Sequence, residues 1–119
     1  NAGVPITVID FNHLAVQRQR DCGDEGIVGD ARRVELLAAA GVANARLVLL
    51  SLPDPKAAAA VCQQVRVLAA SVPIIVRCSY NRAEASLRSA GATDVVLEEE
   101  AVGLVLGRAV AERLEQPPV

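Results

Sequence analysis

Short apolar runs alternate along the chain with segments in which apolar residues recur at helical spacing. Five runs predict β-strands, at residues 4–9, 26–29, 46–51, 73–77 and 94–97. A segment of helical periodicity follows each of them. The third run is apolar throughout its centre and is therefore predicted to lie inside a sheet. Strands that alternate with helices form parallel sheets covered on both faces, so the pattern predicts an α/β domain with five strands and five helices.

Local signals predict where several helices begin and end. The first helix is expected over residues 12–21, with Gly23 as its C-terminal stop. Asp54 is expected to cap the third helix and Pro55 to occupy its first position, because proline lacks the N–H that would be unpaired there. Asn81 and Glu84 have the spacing of a capping box, which predicts the start of the fourth helix.

Composition favours one compact domain and disfavours several classes of protein. The chain has 119 residues, of which 52% are hydrophobic, and a formal net charge of −2. Aromatic residues make up only 2%, and Lys56 is the sole lysine, so nucleic acid is not an expected partner. Cys22, Cys62 and Cys78 lack CxxC spacing and His13 is the only histidine, which predicts reduced core thiols and no metal site. No apolar run reaches the roughly 20 residues of a membrane span.

Polar side chains stand at the carboxyl ends of predicted strands, where α/β sheets bind ligands. Asp10 ends the first strand and is suited to accept two ribose hydroxyls, although an acid there can also cap the next helix. Phe11 is either a cover for one face of an adenine or a core residue. Asp30 ends the second strand and has the same capping alternative. Arg77, the only cation at a strand's carboxyl end, is either a contact for phosphates or an acidic partner, or a solvated surface residue.

A dinucleotide-binding sheet carries a G-x-G-x-x-G turn about 20 residues before such an acid. No such turn precedes Asp10 in this sequence. Periodicity therefore leaves two interpretations open. The chain is either strands two to six of a Rossmann sheet or a different five-stranded α/β fold, such as a flavodoxin-like domain.

Five segments together resemble the RCK N-terminal domain, also called TrkA-N, which regulates potassium channels, Trk/Ktr uptake systems and Kef-type potassium/proton antiporters. They are VIDFN at 8–12, GDA at 29–31, LSLPDP at 50–55, IIVR at 74–77 and AGATDVV at 90–96. The resemblance implies a Rossmann-like, mostly parallel sheet whose first strand and glycine-rich loop are missing. That strand would lie between the strands that end at Asp10 and Ser51. Residues 1–119 would then be a single truncated domain, with Asn1 and Ala2 as a cloning remnant.

The resemblance also implies an adenine nucleotide, either AMP, NAD, NADH or ATP, bound at the carboxyl ends of the strands in the complete domain. The truncated chain need not bind one. Asp30 and Ala31 would lie beside the adenine, and Leu52 and Pro53 would border the same pocket. Asp10 would contact the ribose.

No catalytic residue is predicted, because no Ser/His/Asp or Cys/His arrangement and no acid/base pair of carboxylates stands out. The leading hypothesis is a regulatory module rather than an enzyme. The alternative is the NAD-binding half of a dehydrogenase whose catalytic domain lies elsewhere. A phosphoacceptor receiver domain is disfavoured because no lysine follows the fourth or the fifth strand.

Two predicted helices are apolar around most of their circumference. They include the segments from Ala57 to Cys62 and from Ala101 to Gly107. We expect both to form partner surfaces in a homodimer or larger homo-oligomer, with packing on the chain's own sheet as the alternative. The resemblance agrees with oligomers. It also implies a cytoplasmic domain linked to a membrane transport domain of the same or a partner chain at the inner membrane.

Overall fold

The computed structural model describes residues 3–115, within which five strands alternate with five α-helices. The strands are β1 (Thr7–Asp10), β2 (Glu25–Val28), β3 (Val48–Leu50), β4 (Ile74–Cys78) and β5 (Asp94–Leu97). The helices are α1 (His13–Asp21), α2 (Val34–Ala39), α3 (Pro55–Leu68), α4 (Glu84–Ala90) and α5 (Glu98–Glu115). The predicted α/β class, with its five strands and five helices, is confirmed.

The strands form two parallel sheets. In the first, β1 pairs with β2, and Asp10 lies opposite Val28. In the second, β4 lies between β3 and β5. No pairing joins β1 to β3 in the described part of the chain, so each has an edge without a strand partner. The prediction that the third strand is internal is therefore wrong for this chain, and Leu49 at that edge is 68% exposed.

The main core lies between the three-stranded sheet and α3. Four residues of α3 at helical spacing, Ala58, Val61, Cys62 and Val65, are at most 1% exposed. The prediction that the segment from Ala57 to Cys62 is a partner surface is thus wrong, because the chain's own sheet and neighbouring helices bury it. Burial also raises the pKa of the Cys62 thiol, because the apolar surroundings disfavour the thiolate.

Helix α1 covers β2 at very close range. Val16 of α1 is fully buried, and a Cβ added at Gly26 of β2 would lie 2.5 Å from its Cγ1 atom. Only glycine fits this crossing without displacing the helix. Helix α2 then links the two parts of the molecule, because Leu37 of α2 is buried in the main core. The β1–β2 unit is therefore held to the second sheet through helices.

The start of α3 agrees with the sequence signals, whereas the start of α4 differs from them. Asp54 accepts a hydrogen bond from the Lys56 backbone N–H at 3.0 Å, and Pro55 is the first residue of α3, as predicted. The capping box at Asn81 and Glu84 is wrong. Asn81 belongs to a 3-10 turn, and Glu84 accepts a bond from Arg88 at 3.1 Å one turn further along α4.

Helix α5 carries its apolar side chains uncovered. None of its 18 residues is buried, and its exposed apolar residues are Val102, Leu104, Val105, Leu106, Val110 and Leu114. The helix is about 27 Å long at 1.5 Å per residue. In the described residues, no helix combines the length and the apolar character that crossing a membrane requires.

Candidate functional site

Asp10 and Asp30 lie at the same edge of the β1–β2 sheet. Asp10 is the last residue of β1, and its carbonyl accepts the Gly29 backbone N–H at 2.9 Å. Asp30 follows directly after Gly29, so the chain leaves β2 beside the end of β1. Parallel strands place both acids at the carboxyl edge, where ligands bind in α/β sheets.

Asp10 stabilises the turn that leads into α1. Its Oδ1 atom accepts the Asn12 backbone N–H at 2.9 Å. Asn12, in turn, caps α1 by accepting the Leu14 backbone N–H at 2.9 Å. The capping role left open for Asp10 therefore belongs to Asn12. Among the described residues, the Oδ2 atom of Asp10 has no hydrogen-bond partner, so the exposed carboxylate keeps acceptor capacity for a ligand.

Asp30 is held in a fork by Arg32. The Arg32 Nη2 atom lies 2.8 Å from Asp30 Oδ2 and its Nε atom 3.0 Å from Oδ1, while the Arg32 backbone N–H donates to Oδ1 at 2.9 Å. These bonds hold the pKa of Asp30 below its ordinary value, and the side-chain bonds from Arg32 have the largest effect. Asp30 does not cap α2, which begins at Val34 after Arg33. Sequence reasoning missed Arg32, although its two-residue spacing from an acid in a turn was the available signal.

Two apolar residues follow strands of different sheets. Ala31 comes after β2 and Leu52 after β3, and both are half-buried and pack against the main core. The pKa of Arg32 is raised first by its hydrogen bond to Asp30 and least by the charge of Asp54 at the start of α3. Helix α2 contacts α3, so the segment after β2 lies near α3. Pro53, between Leu52 and Asp54 in the chain, is exposed.

Phe11 is 65% exposed directly after Asp10. The alternative that it fills a core gap is wrong. Its ring is available to a ligand at the edge that carries the two acids. A flat aromatic surface in this position suits stacking against a planar base.

Arg77 lies apart from the two acids, on β4 beyond β3. Its Nε atom is 2.7 Å from the Glu98 Oε1 atom, which also accepts the Ser79 hydroxyl at 3.1 Å. Arg77 is thus a solvated surface residue with one ion pair, and more than half of its side chain is exposed. The structure brings Asp10 and Asp30 to one edge, with Ala31 next to Asp30 in the chain, whereas Leu52 follows β3 of the other sheet and Arg77 lies on β4.

Two shallow depressions lie elsewhere on the surface. One, of about 420 Å³, is bounded by residues 3–7 and 23–25 at the amino end of β1 and β2. The other, of about 400 Å³, runs along the first two turns of α5. In residues 3–115, no cluster of three His, Cys, Asp or Glu side chains could hold a metal ion. The edge with Asp10 and Asp30 thus offers oxygen acceptors and apolar surface rather than a metal centre.

Comparison with known proteins identifies a consistent set of relatives. The TrkA-N domain family matches residues 1–98. A putative K(+) efflux antiporter KefB of Alkalimonas amylolytica is 32% identical over 114 residues, which cover 96% of this chain and 17% of the antiporter. The chain thus spans less than a fifth of that relative's length.

Solved structures agree with this assignment. The TrkA-N domain of the inner membrane protein YbaL from Escherichia coli superimposes with a TM-score of 0.82 at 25% identity, covering 96% of this chain and 82% of that one. The GsuK channel bound to NAD superimposes with a TM-score of 0.71 at 27% identity, covering 80% of this chain and 17% of that one.

Proposed function

Because this chain belongs to the TrkA-N domain family, we propose that it is a regulatory domain that binds an adenine nucleotide and thereby controls a transporter or channel for potassium or another monovalent cation. A Kef-type antiporter is favoured because KefB is 32% identical over nearly the whole chain. The chain corresponds to 17% of that antiporter, so transport belongs to a membrane domain of the same or a partner chain. The domain lies on the cytoplasmic side of the inner membrane.

The observation that carries the nucleotide proposal is the pair of acids at the carboxyl edge of β1 and β2. The free Oδ2 atom of Asp10 accepts the ribose hydroxyls. The adenine lies beside Asp30 and Ala31, against the exposed ring of Phe11. The NAD bound to the related GsuK channel supports an adenine nucleotide as the ligand class.

Two further features complete the proposed pocket. Leu52 and Pro53 border it after β3, and Arg77 contributes positive charge for the phosphates. We propose that a further parallel strand, bearing a glycine-rich loop, pairs with the edges of β1 and β3 that have no strand partner in the described residues. Its loop would supply the backbone N–H groups that hold a pyrophosphate. The nucleotide is AMP, NAD, NADH or ATP.

Regulation follows from a difference in affinity. A nucleotide changes the state of the transporter only if it binds one arrangement of the domains more tightly than another. Regulation rather than catalysis is supported by the relatives, which are named as an antiporter, an inner membrane protein and a channel. We propose no catalytic residue.

Calorimetric and thermal-shift titrations with AMP, NADH and ATP test the nucleotide proposal. They should be done on this chain and on a version extended upstream by the glycine-rich strand of the family. We expect binding by the extended version, with a gain in stability of about 2.7 kcal/mol at a ligand concentration 100 times Kd. Absence of binding by both versions would contradict the proposal.

We also propose that α5 pairs with α5 of a second copy. Val102, Leu106 and Val110 form one exposed apolar line along it. Beside that line, a Cβ added at Gly103 or Gly107 would meet no atom within 4 Å, so another backbone has room to approach. In an antiparallel pair centred on Leu106, Glu99 of one helix lies opposite Arg113 of the other, at both ends of the pair.

Replacing Leu106 with glutamate should convert the homodimer into a monomer. Glutamate would place an unpaired charge in the apolar interface from both copies, and a loss of about 2 kcal/mol weakens the dimer roughly 30-fold. Light scattering after size-exclusion chromatography measures the mass. Val67→Glu, at a residue of α3 that is 76% exposed, is the matched control and should leave the mass unchanged. A wild-type protein that stays monomeric at high concentration would refute the pairing.

A further inference from the structure

A small polar junction joins the start of α5 to the carboxyl end of β4. Glu98 is the first residue of α5 and follows Leu97 of β5 without an intervening loop. Its Oε1 atom forms an ion pair with Arg77, 2.7 Å from the Nε atom, and accepts the Ser79 hydroxyl at 3.1 Å. One carboxylate oxygen therefore connects the helix to the strand beside it.

Few other contacts hold α5 in its orientation relative to the sheet. No residue of α5 is buried within its own chain, so apolar packing against the rest of that chain does not fix the direction of the helix. The helix is attached through backbone continuity with β5 and through the bonds of Glu98. A rotation at this point would move the distal end of a helix about 27 Å long by many ångströms.

We propose that Arg77, Ser79 and Glu98 form a release point that sets the direction of α5, and that an anionic ligand at Arg77 opens it. The inference rests on the proposed role of α5 as the pairing helix. Within the described residues, only the Nε atom of Arg77 lies in an ion pair, with Glu98, and the Arg77 side chain is 53% exposed. A phosphate can therefore approach Nη1 and Nη2 and then compete with Glu98 for Nε, because both are oxyanions that arginine binds in a fork.

The junction is weak enough to be switched. Ion pairs with this degree of exposure contribute little, equivalent to about a two- to fivefold change in an opening equilibrium. Such a contact biases the direction of α5 without locking it. A ligand phosphate with two or three bonds to Arg77 would outcompete a single carboxylate oxygen.

Hydrogen exchange of the α5 backbone tests the junction in the absence of any nucleotide. In Arg77→Gln we expect amide exchange in the first turns of α5 to rise about two- to fivefold, with α3 unchanged. Arg77→Lys, which keeps the charge, should restore part of the protection. Arg88→Gln, which removes the similarly exposed Arg88–Glu84 pair on α4, is the matched control and should leave α5 unchanged.

A double-mutant cycle distinguishes the effect of the Arg77–Glu98 ion pair from the interaction of Glu98 with the helix dipole. Arg77→Gln should have no further effect once Glu98 is replaced by glutamine. Equal α5 exchange in wild type and Arg77→Gln, or an undiminished effect of Arg77→Gln in the Glu98→Gln protein, would overturn the proposal.

Inorganic phosphate tests the ligand-driven step. At an ionic strength matched with chloride, phosphate should raise α5 exchange in the wild type and not in Arg77→Gln. A phosphate effect that persists in Arg77→Gln, or no effect in the wild type, would refute release by an anion. These measurements use no nucleotide, so their outcome is independent of the nucleotide titrations.

Discussion

Replacing Asp10 with asparagine should weaken adenine nucleotide binding by about 10- to 100-fold. In the proposed complex, the carboxylate accepts two ribose hydroxyls, and hydrogen bonds to a charged group contribute about 1.5–3 kcal/mol. Asparagine retains an Oδ1 atom that can still accept the Asn12 N–H, so the turn into α1 should survive. Isothermal titration calorimetry with NADH, on the version extended upstream by the glycine-rich strand, measures the change in Kd.

The matched control is Asp94→Asn, which removes the same charge at the amino end of β5, far along the strand from the carboxyl edge. Its nucleotide affinity should equal that of the wild type. If Asp10→Asn binds as tightly as Asp94→Asn, the ribose does not contact Asp10 and the proposed pocket is misplaced.

Replacing Arg66 with methionine should lower the free energy of unfolding by about 3 kcal/mol. Arg66 lies near the end of α3, and its guanidinium donates to three backbone carbonyls, those of Ala69 at 3.3 Å, Val72 at 2.6 Å and Gly91 at 2.7 Å. Methionine keeps much of the stem but leaves these carbonyls without their donors, at about 1–3 kcal/mol for each that stays buried. Urea denaturation followed by circular dichroism provides the measurement.

Arg20→Met is the control for this prediction, because Arg20 donates one bond, to the Gly26 carbonyl at 2.7 Å, from an exposed position. Its loss should cost about 1 kcal/mol or less. Equal losses in the two variants would show that the Arg66 bonds do not hold the loops before β4 and β5 together.

Much of the fold could be predicted because its signals are local. The fifth strand was placed at its observed bounds, and Asp54 and Pro55 marked the start of α3, since capping depends on neighbours two or three residues away. The capping box predicted at Asn81 and Glu84 was wrong because it, too, depended on local spacing alone. The spacing of a capping box was present, but a 3-10 turn occupies those residues and Glu84 bonds forward to Arg88.

The candidate site could be predicted only in part. Asp10 and Asp30 were found because strand ends in α/β sheets share one edge. Their partners were not found. Asn12 takes the capping role that Asp10 was also assigned, and Arg32 folds back on Asp30 through a turn geometry that spacing alone does not specify. The ion pair of Glu98 with Arg77 was not found either, because it joins the start of α5 to the neighbouring strand β4, 21 residues earlier in the chain.

The order and type of the helices and strands follow from hydrophobic periodicity and from the residues that begin and end helices. Each short segment carries these signals independently of the rest of the chain. Burial and strand neighbours do not, because they depend on residues distant in sequence. Helices α3 and α5 both have apolar sequences, yet α3 is covered by the sheet and by α2 and α4. Helix α5 follows the last strand, and no element among residues 3–115 buries any of its side chains. Likewise, β3 is an edge strand because of what pairs with it in space, and no property of residues 46–51 encodes that.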